Sequence, residues 1–76
     1  MEPEVLDAEI LRLVKNAWKL SNEFLTESDL RRFISVEHCQ TVHDHEMKKA
    51  LVRLEKSGKI MFYGSGSDKT VLFLKL

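Results

Sequence analysis

The sequence predicts an α+β fold: three helices closed by a C-terminal β-hairpin, with a short third strand between the first two helices. Three observations carry this. Apolar residues recur at helical spacing in three separate stretches, around 6–18, 30–34 and 47–54. Gly58 stands where the third stretch must stop. After it, two β-rich runs flank a Gly/Ser/Asp tip.

The first element is a long amphipathic helix. Pro3 suits a first helical turn, and Glu2, Glu4 and Asp7 complement its positive N-terminal end. Leu6, Ile10, Leu13, Val14, Ala17 and Trp18 form the apolar stripe. Glu9, Arg12, Lys15, Asn16 and Lys19 form the wet side, and Ser21-Asn22 ends the helix.

Phe24-Leu25 is too short for a helix and is free to pair with the hairpin. Thr26 and Asp29 have the spacing of a capping box, with Asp in place of the usual Glu. Leu30, Phe33 and Ile34 then give the buried face of a short second helix. Ser35 to Val42 is polar and aperiodic and reads as a loop. Thr41 or Asp44 is placed to cap the third helix, whose buried face is Met47, Ala50, Leu51 and Leu54. Lys56 and Lys59 flank its negative end. The runs Lys59 to Tyr63 and Thr70 to Leu76, around Gly64 to Lys69, make the hairpin.

Helix, short strand, helix, helix, hairpin is the winged helix-turn-helix order. Three short helices enclose a core only if something covers their open side, and this hairpin is too apolar to be left uncovered. The 76 residues read as one domain, 1–76.

Composition limits the function. Net charge is zero, but residues 1–29 hold seven acids and three bases, and residues 30–76 hold five acids and nine bases. Cys39 is the sole cysteine, so no intrachain disulfide forms; this suggests a reducing, cytoplasmic or otherwise intracellular setting. No apolar run reaches membrane-spanning length, so membrane insertion is not expected.

His38, Cys39, His43 and His45 are zinc-type residues, but their spacing is poor. Adjacent His38 and Cys39 do not easily point at one ion, so the group reads as a polar loop. No metal or other cofactor is expected. Gly64-x-Gly66 sits at a hairpin tip, not between a strand and a helix, so it reads as a turn. So small a fold has little room for a substrate pocket of the usual ~300 Å³ or more. No catalytic residue is assigned, and no enzymatic activity is expected.

The candidate functional surface is the outward face of the third helix: His45, Lys48, Lys49, Val52, Arg53 and Lys56, extended by Lys69 on the wing. Its cations suit phosphates. Against duplex DNA, Asp44 and Glu46 occupy the end of the helix that normally reads bases, and Asn and Gln are absent from it. Outward Val52 suits an apolar partner. A protein partner is therefore favoured, with duplex DNA as the alternative. Leu11 and Leu20, off the main stripe of the first helix, suggest a second surface for a homodimer.

Residues 24–73, with 44–62 (DHEMKKALVRLEKSGKIMF) at their centre, resemble the C-terminal winged helix of the small subunit of the ESCRT-II endosomal sorting complex; Phe24 to Leu30 and the polar loop after them fit the same layout. Shared features are an Asp-led helix with Ala50-Leu51, then Leu54-Glu55, a Gly58-Lys59 turn, an apolar strand, and Val71-x-Phe73 after the wing. The resemblance implies a cytoplasmic scaffold that binds other subunits through the third helix and wing, without a cofactor.

Overall fold

The computed structural model describes residues 1–63 and 70–73. It contains α1 (Pro3–Ser21), β1 (Leu25–Thr26), α2 (Glu27–His38), α3 (Asp44–Lys56), β2 (Ile60–Tyr63) and β3 (Thr70–Phe73). This is the expected winged-helix order. The strands form one antiparallel sheet in the order β1-β3-β2, with Leu25 opposite Val71 and Phe62 also opposite Val71. The wing tip, 64–69, and the expected strand end, 74–76, lie outside the described residues.

Burial follows the predicted stripes. Leu6, Ile10 and Val14 of α1 meet Leu30 and Ile34 of α2 and Met47, Ala50, Leu51 and Leu54 of α3. Ile60 and Val71 close the core from the sheet, so the hairpin is a lid and not a loose appendage. Periodic apolar residues gather there because each Å² of apolar surface removed from water stabilises the fold by about 25 cal/mol.

Local signals set most ends. The Thr26–Asp29 capping box forms: Asp29 N–H donates to Thr26 Oγ1 (3.2 Å), and Thr26 N–H donates to Asp29 Oδ2 (3.4 Å). Asn22 ends α1 in the left-handed conformation, φ 52°. Gly58 does the same beyond α3, φ 74°, where the N–H of Lys59 donates to the carbonyl of Leu54.

Four expectations need correction. Residues 35–38 are not loop: α2 runs on to His38 and ends at left-handed Cys39, φ 51°. Its last turn is mostly exposed, so it carries no apolar period, and Cys39 takes a place more often held by glycine. Ser35 holds the true loop, accepting the N–H of Val42 on Oγ (3.1 Å). The N-cap of α3 is His43, neither Thr41 nor Asp44; Glu46 reaches back to its N–H (3.4 Å). Phe33 is 39% exposed, with the Arg32 guanidinium 5.5 Å above its ring, because Glu27, Leu30 and Ile34 fill the buried face of α2. Trp18 also leaves the core, stacking on Phe24 at 5.1 Å. Of the proposed dimer residues, Leu11 packs against the core, whereas Leu20 is 83% exposed.

Candidate partner-binding surface

The amphipathic pattern of α3 determines what it shows to solvent. With Met47, Ala50, Leu51 and Leu54 buried, His45, Lys48, Lys49, Val52, Arg53 and Lys56 are all exposed. Lys69 lies outside the described residues.

The cations are not equivalent. Arg53 forms a two-pronged ion pair with Asp7 of α1, Nη2 to Oδ1 at 2.8 Å and Nε to Oδ2 at 3.1 Å. That hydrogen bonding raises the pKa of Arg53 further above its ordinary value. Lys48 pairs with Asp44 one turn back, Nζ to Oδ2 at 3.0 Å. Its pKa is raised mainly by this hydrogen bond, with a Coulombic contribution from Glu27 at the start of α2. Asp44 also accepts from Arg31 Nη1 at 3.2 Å, and its own pKa is lowered, chiefly by Lys48. Lys49 and Lys56 make no ion pair among the described residues. Two of the four basic side chains are thus neutralised by carboxylates of the same molecule.

Around them is an open groove of about 360 Å³, lined by Lys48, Lys49, Val52 and Arg53 and almost wholly apolar. The apolar character comes from Val52 and from the methylene stems that Lys and Arg lay along a surface. A second open groove of about 610 Å³ runs between α1 and α3, with Asp7 and Leu11 on one side and Arg53 and Lys56 on the other. The grooves exceed the volume the sequence suggested, but both are open to solvent rather than enclosed.

The histidine–cysteine group does not converge. His38 Nε2 lies 3.5 Å from Glu9 Oε2, Cys39 is exposed, and His43 stacks on His45 at 5.8 Å. Among the described residues, the grouping with ligand-like separations is Glu9, Glu37 and His38. Arg12 already bridges its two carboxylates, Nη2 lying 2.6 Å from Glu9 and 2.5 Å from Glu37. This is an ion-pair clamp between α1 and α2. Sequence spacing could not reveal it, because Arg12 and Glu37 are 25 residues apart on different helices.

Residues 3–70 match the family described as "MCM4, winged helix domain". The chain belongs to that family. Comparison with curated proteins and with solved structures found no match. Membership in the MCM4 winged helix domain family accords with every described element, since the match runs from the first residue of α1 to the first residue of β3. Winged helices are generally non-catalytic modules. The match lends no support to the narrower ESCRT-II likeness. Among the described residues, no helix is long and apolar enough to cross a membrane.

Proposed function

We propose that this MCM4-family winged helix is a protein-interaction module of a multi-subunit assembly that docks through the outward face of α3. One observation carries the reading: the groove beside Val52 is apolar, and two of the cations lining it, Lys48 and Arg53, are paired with Asp44 and Asp7. A phosphate backbone would have to compete with Asp7 for Arg53 and would gain nothing from covering Val52. An apolar protein side chain gains from both the valine and the lysine stems. Docking through α3 does not require an ESCRT-II-like identity.

The second reading is duplex DNA. It is favoured by Lys49 and Lys56, which make no ion pair among the described residues.

A photo-crosslinking amino acid in place of Val52, activated in cells, separates the two. The expected adduct resists nuclease and is destroyed by protease. An adduct that collapses on nuclease treatment, together with a duplex-DNA mobility shift that weakens steeply with salt, overturns the protein reading.

A further inference from the structure

Resting on that reading of the α3 face, we propose that the partner is an acidic segment that seats one apolar side chain on Val52, between Lys49 and Lys56. His45, Lys49, Val52 and Lys56 are spaced four, three and four residues apart. At about 100° per residue, this spacing keeps all four within one narrow sector of the helix. That sector lies opposite Met47, Ala50, Leu51 and Leu54, and all four side chains are exposed. Such four–three spacing is the seam by which one helix packs along another.

The charges on this seam are of one sign. Asp44, Glu46 and Glu55 fall on the flanks, and Asp44 is engaged by Arg31 and Lys48. The seam thus holds two lysines that make no ion pair among the described residues, a histidine, and one apolar residue that is 41% exposed. Lys49 and Lys56 are two turns apart, roughly 10 Å along the axis. Their complement is a pair of carboxylates at the same separation with a Leu-sized side chain between them. An acidic amphipathic helix laid along α3 supplies this. The carboxylates would meet cations that make no ion pair among the described residues, so none of the ion pairs described there has to break.

The test uses three helix-forming peptides of about 14 residues. The first carries glutamates seven apart around one leucine. The second has serine for that leucine, and the third has lysines for the glutamates. Backbone amide shifts of the isotope-labelled protein report where each binds. The first peptide is expected to move the amides of 45–56 and to bind about tenfold more tightly than the second. The third should not bind. Val52→Ser should bring the first peptide down to the level of the second. Lys49→Glu with Lys56→Glu should abolish binding of the first peptide and create binding of the third. Circular dichroism melting checks that these exposed substitutions leave the fold intact. The proposal falls if the first peptide leaves 45–56 unmoved, if leucine and serine peptides bind equally, or if the charge swap fails to exchange the preference. It also falls if a short DNA duplex displaces the first peptide and moves the same amides. A protease-sensitive adduct at position 52 without acidic-peptide binding would sink this partner chemistry alone. A nucleic-acid adduct would sink the docking reading as well.

Discussion

Gly58 and Arg53 illustrate how differently single residues reveal themselves. Gly58 adopts φ 74°, and a Cβ there would meet nothing within 4 Å. Its role is therefore conformational and not steric. Gly58→Ala is expected to cost about 1 kcal/mol, read as a lowered denaturant midpoint, and Gly58→Asn less, because Asn tolerates the left-handed region. Equal losses for the two would argue against this account. Arg53 gives the opposite lesson. Its outward position on α3 is legible from the helical period, but its partner Asp7 lies 46 residues away. Nothing local in the sequence announces that pair.

Helix ends were legible wherever the capping chemistry was local. Thr26 and Asp29 are three residues apart, so their mutual hydrogen bonds could be read from spacing alone. Thr26→Ala should destabilise the domain by about 1 kcal/mol, and Thr26→Ser should recover most of it. Thermal melts of the two variants would check this; an unchanged Thr26→Ala would mean that β1–β3 pairing, and not the cap, holds the start of α2. The end of α2 was not legible. Its last turn, Ser35 to His38, is held by left-handed Cys39 and by hydrogen bonds from Cys39 and Gln40 to the carbonyls of Val36 and Ser35. Backbone bonds of this kind leave no side-chain pattern, and an exposed turn leaves no apolar one.

For the whole molecule, ion pairs join the three helices two by two. Arg12–Glu37 links α1 to α2, Arg31–Asp44 links α2 to α3, and Arg53–Asp7 links α1 to α3. Arg12, through its hydrogen bond, is the main reason that Glu9 stays below its ordinary pKa of 4.5. Lys48 does the same to Asp44, whose ordinary value is 3.8. A carboxyl whose folded pKa is depressed stabilises the fold fully above its unfolded value. That contribution is lost as pH falls through the folded one. The melting temperature should therefore hold steady through neutral pH and decline from about pH 4.5 downward. Molar salt should flatten the decline, because the pairs are largely exposed.

The sequence alone was sufficient for the order of elements, for most of the core and for the face of α3 that meets solvent. Each follows from burial, and burial repeats with the period of the local structure, so neighbouring residues carry the signal. Which cations on that face have internal partners was decided only by the tertiary structure. Lys48 and Arg53 are neutralised by Asp44 and Asp7, whereas Lys49 and Lys56 form no ion pair among the described residues. Coulomb attraction acts between groups that the fold brings within a few ångströms, whatever their separation along the chain.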